Sequence, residues 1–117
     1  MLENIETLKE FIVQCLEERK AEAITIIDVR KNTTLAEYII LANGRSTKNV
    51  GAIAEYVALE LKQQAAINVN IEGLGKSEWV LIDAGNILIN IFYPAVREHF
   101  KLEEMWAKKA CLPTPTN

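Results

Sequence analysis

The stretch from Glu78 to Tyr93, Glu78-Trp79-Val80-Leu81-Ile82-Asp83-Ala84-Gly85-Asn86-Ile87-Leu88-Ile89-Asn90-Ile91-Phe92-Tyr93, constrains this chain most. Both arms are rich in β-branched and aromatic residues, and Ala84-Gly85-Asn86 supplies turn chemistry between them, so the spacing predicts a β-hairpin. Side chains alternate along a strand, and pairing the arms across this turn sorts them onto two faces. One face collects Val80, Ile82, Ala84, Ile87, Ile89, Ile91 and Tyr93 and is expected to be core. The other collects Trp79, Leu81, Asp83, Asn86, Leu88, Asn90 and Phe92, mixing large apolar groups with a carboxylate and two amides. A buried, unpaired carboxylate is costly, so at least the turn end of this mixed face should open to water or to a partner. An alternative stands beside it, in which a helix covers the face and Asp83 and Asn86 only close the turn.

The rest of the chain supplies the layers around this hairpin. Asn4 can cap a helix with Ile5, Leu8, Phe11, Ile12, Cys15 and Leu16 on one stripe, Glu6 in its first turn and Arg19 and Lys20 in its last. Residues 23–29 and 37–42 read as strands joined by a polar connection, a second hairpin. Ser46 then caps a long helix whose buried stripe is Val50, Ile53, Ala54, Val57, Leu61 and Ala65, with Glu55, Glu60, Lys62, Gln63 and Gln64 facing solvent. A short strand over 67–71 and a glycine-bearing loop over 72–77 lead back to the central hairpin, and strand, helix, strand order allows one parallel crossover in a mixed sheet. Pro94 closes the last strand, and residues 95–109 carry helical turns with Phe100, Leu102, Met105 and Trp106 apolar. One domain over 1–110 is expected, followed by a disordered tail over 111–117 that holds two of the three prolines.

Composition narrows the functional classes. The chain has 117 residues, half of them hydrophobic, which is ordinary for one globular core. Its apolar runs fall far short of the ~20 residues that span a bilayer, and Met1-Leu2-Glu3-Asn4 does not open a targeting segment, so a soluble protein of a bacterial cytoplasm is expected, without membrane contact. A net charge of −3 disfavours direct nucleic-acid binding as the main term and suits a basic protein partner. Cys15 and Cys111 are too few and too far apart in character to build a disulfide framework or a metal cluster. No metal and no cofactor are expected.

Catalytic chemistry finds little footing. Asn43-Gly44-Arg45-Ser46-Thr47-Lys48 opens a helix but lacks the spacing of phosphate-binding loops. A nucleotidyltransferase would need carboxylates converging on metal ions, and only Asp28, Glu72 and Asp83 are scattered candidates. The single histidine, His99, has no serine or cysteine at a spacing that suggests a triad, and Arg97 and Glu98 read as a solvated pair at a helix start. What remains is binding chemistry on Trp79 and Phe92 of the mixed face and on Met105 and Trp106, the last either partner surface or core lid.

Asp28-Val29, Glu37-Tyr38-Ile39-Ile40, Gly44-x-Ser46-x-Lys48-x-Val50-x-x-Ile53-Ala54, Glu72-Gly73, Trp79-Val80-Leu81-Ile82-Asp83-x-Gly85, Phe92, and Arg97-Glu98-x-Phe100-x-Leu102-Glu103-x-Met105-Trp106 occur in this order. In that combination the sequence resembles the ribosome silencing factor, or Iojap-like, family. The resemblance implies an α+β fold with a mixed sheet of about five strands and flanking helices, nucleotidyltransferase-like without the catalytic carboxylates. It also implies a translational repressor, not an enzyme, that binds ribosomal protein number fourteen of the large subunit and blocks joining of the small subunit when nutrients are scarce. Members are often homodimers. The residues expected to meet the partner are Trp79, Leu81, Asp83, Asn86, Asn90 and Phe92, with Phe100, Leu102, Glu103, Met105 and Trp106 beyond. Asn86, Asn90, Glu37 and Lys48 depart from the usual Asp, His, Asp and Arg, and the first two remove a charge and a titratable group from the mixed face. The readings that compete with this one are a nucleotidyltransferase-fold enzyme and a homodimeric interaction module without a ribosomal target.

Overall fold

The computed structural model describes residues 4–100, and side chains as far as Arg97. The element order is α1 (Ile5–Glu18), β1 (Glu22–Asp28), β2 (Tyr38–Asn43), α2 (Thr47–Ala65), β3 (Asn70–Glu72), β4 (Trp79–Asp83), β5 (Ile87–Phe92) and α3 (Pro94–Phe100). The expected residues at 101–110 and the tail at 111–117 lie outside the described part.

The hairpin forms as its sequence dictates. β4 and β5 pair antiparallel with Trp79 opposite Phe92, Leu81 opposite Asn90 and Asp83 opposite Leu88. Gly85 takes φ 88°, a conformation that favours a residue without Cβ, and Ala84 N donates to Ile87 O at 3.0 Å to close the turn. Tyr93 departs from the expected core face. The ladder ends at Phe92, Tyr93 N donates to Glu78 O at 2.8 Å, and Pro94 then opens α3, so the alternation stops one residue early and the Tyr93 ring is exposed.

The strand order is β1-β2-β5-β4-β3. β1 and β2 are antiparallel, as are β3 and β4, while β2 and β5 run parallel with Ile39 beside Leu88 and Asn43 beside Phe92. The sheet is therefore α+β and mixed, as expected, but the parallel contact joins β2 to β5. The α2 crossover carries the chain over the two strands of the hairpin to β3 at the far edge, and β4 and β5 then fill the gap. β3 is also shorter than expected, because residues 67–69 run past the end of β4 and find no ladder partner there.

α1 and α2 cover the apolar face. Asn4 Oδ1 accepts from Thr7 N at 2.9 Å and Ser46 Oγ from Asn49 N at 3.0 Å, so both expected caps are in place. Leu8, Ile12, Cys15 and Leu16 of α1 and Val50, Ile53, Ala54, Val57 and Leu61 of α2 close over Tyr38, Ile40, Ala42, Val80, Ile82, Ile87, Ile89 and Ile91. α1 ends sooner than its charge pattern suggests: Arg19 is its C-cap and Lys20 lies beyond at φ 60°, so neither cation sits in the last turn. Arg19 instead lies over the Tyr56 ring, 4.2 Å from its centroid. At α1's other end, Tyr38 Oη donates to Glu6, and Lys9 and Arg30 flank the Tyr38 ring at 4.8 and 5.1 Å.

Candidate functional site

The mixed face divides along its length. At the Trp79 end it is closed: Val29, Ala36, Ile39, Leu41, Trp79 and Phe92 form a second core cluster, with Ile27, Leu88 and Val96 of α3 packed against it. Trp79 is 5% exposed, stacks on Phe92 with ring centroids 5.4 Å apart, and donates from Nε1 to Asn90 Oδ1 at 2.8 Å. Leu81, Asn90 and Phe92 are buried as well. The expectation that Trp79, Leu81, Asn90 and Phe92 stand open to a partner is thereby corrected. The reason is that the β1–β2 connection folds back through Val29 and Ala36, and α3 adds Val96, so large apolar groups that no helix of the main layer reaches still leave water.

The turn end is open. Asp83 and Asn86 are exposed and Leu88 is half-buried between the two zones. Asp83 Oδ1 accepts from Gly85 N at 2.9 Å, and Asn86 O accepts from Glu37 N at 2.7 Å and Tyr38 N at 3.3 Å. Asp83 therefore helps to close the turn, Asn86 ties it to the start of β2, and both residues remain exposed. The same backbone bonds tie the β1–β2 connection to this turn. That connection carries Leu35, 68% exposed, a residue the sequence reading did not single out because an isolated leucine in a polar loop has no period to mark it.

Asn90 is the most unusual residue of the face. It is fully buried, its Oδ1 is committed to the Trp79 indole, and among the described residues its Nδ2 is a buried side-chain atom without a hydrogen-bond partner. Such an orphan donor costs about 1–3 kcal/mol.

Arg97, expected to be solvated, is instead 9% exposed. Its Nη1 donates to Ala23 O at 2.7 Å and Asn43 Oδ1 at 3.1 Å, and its Nη2 to Thr25 Oγ1 at 2.8 Å. The first turn of α3 brings the guanidinium to the start of β1, where a register irregularity between Glu22 and Thr25 and the φ of 52° at Ala23 leave that carbonyl turned out of the ladder. Arg97 thus ties α3 to the sheet on which the mixed face is built. Glu98, His99 and Phe100 have no described side chains, and Leu102, Glu103, Met105 and Trp106 lie outside the described residues.

The carboxylates do not converge on a metal site. Asp28 lies on edge strand β1 and is held by Arg30, whose Nε and Nη2 donate at 3.0 and 2.6 Å and draw the carboxyl down to a pKa of about 2. Asp83 and Glu72 lie on β4 and β3, on the other side of β2 and β5. Among the described residues no three His, Cys, Asp or Glu side chains gather as metal ligands, and no helix is long and apolar enough to cross a membrane. Cys15 is buried, and loss of water pushes its thiol up to about 11.

Comparison with known proteins decides the family. The family model described as ribosomal silencing factor during starvation matches residues 2–116. The chain belongs to that family. It is 37% identical over 101 residues to the ribosomal silencing factor RsfS of Zymomonas mobilis, covering 86% of this chain and 76% of the relative. It is 34% identical over 103 residues to the factor of the same name from Chromobacterium violaceum, with coverage of 88% and 84%. The crystal structure of protein CV0518 from Chromobacterium violaceum superposes with a TM-score of 0.85 at 30% identity, over 97% of this chain and 94% of that one. A mouse protein named for mitochondrial assembly of the ribosomal large subunit is 27% identical over 86% of this chain and 46% of its own length. The α+β architecture and the family resemblance are thus shown together, and silencing factors are regulators of the ribosome by name.

Proposed function

We propose that this member of the ribosomal silencing factor family binds the large ribosomal subunit at its protein number fourteen and, by occupying that surface, keeps the small subunit from joining. The observation that carries the reading is the open, acidic turn end of the mixed face. Asp83 and Asn86 stand exposed there, half-buried Leu88 adjoins them, and exposed Leu35 is held beside the same turn by the bonds to Asn86 O. An apolar and acidic patch on a chain of net charge −3 is complementary to a basic protein surface. Trp79, Leu81, Asn90 and Phe92 serve this surface from behind as its rigid support. Phe100, Leu102, Glu103, Met105 and Trp106 complete the proposed contact, and two copies of the chain associating as a dimer is compatible with it. The mechanism is competitive occupancy and requires no bond to be made or broken.

The test is a subunit-joining assay. Large subunits preincubated with the protein and then mixed with small subunits should yield a reduced joined peak on a gradient, with the protein comigrating with the large subunit. An undiminished joined peak at saturating protein contradicts the reading.

A further inference from the structure

The two edges of the sheet are treated differently. An open strand edge invites another strand, and proteins blunt it with bulges, charges or covering segments. β1 is blunted in this way: its register shifts between Glu22 and Thr25, its Ala23 carbonyl is taken by Arg97, and its end carries the Asp28–Arg30 ion pair. β3 is short, three residues, and ends on the exposed Glu72, but its register with β4 has no irregularity, and among the described residues no strand lies beyond it.

A groove runs along that bare edge. From Ala66 to Glu72 exposure alternates strictly, with Ile67, Val69 and Ile71 only half-buried. These three, with Leu59, which is 49% exposed, and Leu74, line a cavity of about 380 Å³ between α2 and β3. Its charged lining residues, Glu55 and Lys62, offset each other. The opposite face of the edge is acidic: Asn70 and Glu72 are exposed, and Asp83 stands exposed opposite Asn70.

We propose that this edge and groove form a docking site for an extended segment of a partner protein, added outside β3 as a further strand, with apolar and basic residues in alternation. The backbone of β3 supplies the ladder, and strand addition of this kind draws affinity from main-chain bonds and specificity from alternate side chains. Apolar residues of the incoming strand fill the space between Leu59 and Ile71. The residues between them face Glu72 and Asp83, which selects lysine or arginine. The site shares Asp83 with the proposed ribosome-facing patch but is built on the β3 edge and the groove between α2 and β3, and the proposal does not rest on that reading.

The probe is a capped nonapeptide of alternating lysine and valine, titrated into the isotope-labelled full chain and followed by backbone amide shifts and hydrogen exchange. Expected are shifts and slowed exchange confined to residues 67–72 and to Leu59, with weaker binding of a peptide of the same composition in two blocks. Leu59→Lys, at an exposed position, should weaken binding about tenfold. Glu72→Lys should weaken the lysine peptide and strengthen one in which glutamate replaces lysine, so the proposal stays testable if either variant folds poorly. No shifts up to about 1 mM peptide, a ceiling that already corresponds to very weak binding, overturn the proposal. Equal binding of the lysine and glutamate peptides overturns it too, as do shifts centred elsewhere. Concentration-dependent shifts at 67–72 without peptide would make a second copy the occupant and overturn the partner segment proposed. No ribosome enters the assay, so its failure leaves the subunit-joining result untouched.

Discussion

Each residue of the hairpin reports on one side of the sheet. Ile89→Ala removes methyls from a fully buried site and should cost about 2–5 kcal/mol. Trp79→Ala should destabilise comparably, about 3–5 kcal/mol, because the indole is enclosed and stacked on Phe92 rather than displayed. Thermal and denaturant unfolding check both; a Trp79→Ala protein as stable as the parent would place that ring outside the core. Cys15 makes a prediction about pH. Burial raises its thiol from the ordinary 9.0 to about 11, so the folded state holds a proton that the unfolded chain gives up earlier. The stabilisation from the neutral thiol is whole below pH 9.0, declines above it and is lost as pH passes about 11. Unfolding midpoints of Cys15→Ala and the parent, compared between pH 8 and pH 10.5, should converge with rising pH. A constant difference contradicts the assignment.

At the scale of elements, caps and turns decide where each segment stops. α2 ends on Ala66 at φ 56° and ψ 33°, a left-handed cap where glycine is the usual occupant. Ala66→Gly relieves that strain and gives back part of the gain to the unfolded chain, for a net stabilisation of about 0.5–1 kcal/mol, read from the unfolding midpoint. A lower midpoint would mean that the alanine side chain contributes contacts its exposure does not suggest. The helices, their caps and both hairpins were legible in sequence because periodicity and turn chemistry are local. The parallel pairing of β2 with β5 was not, since nothing local says that the hairpin will slip between strands joined by α2. The closing of the mixed face was hidden for a similar reason. Val29 and Ala36 come from the β1–β2 connection and Val96 from α3, and their convergence over Trp79 follows from tertiary packing. The burial of Arg97 is not legible in sequence because its acceptors, Ala23 O at the irregularity of β1, Thr25 Oγ1 and Asn43 Oδ1, are brought together only by the fold.

For the molecule as a whole, one sheet serves two purposes. α1 and α2 seal its apolar face into the main core, which makes the hairpin a stiff frame. On the other face the second cluster closes one end and leaves the turn end accessible, with the carboxylate of Asp83 beside the amide of Asn86. The chain belongs to the ribosomal silencing factor family, and the proposed contact at that end rests on the charge of Asp83. Asp83→Lys is the variant that separates surface from scaffold. It removes only the Gly85 hydrogen bond from the fold, so its melting temperature should stay close to the parent's, while it sets a cation against a basic partner. The deciding measurement is pelleting of both proteins with purified large subunits at low and high salt. The account predicts that the parent cosediments at low salt and progressively less as salt rises, and that folded Asp83→Lys stays in the supernatant throughout. Cosedimentation of Asp83→Lys equal to the parent's, or a parent that remains at the top of the gradient at low salt, would contradict it.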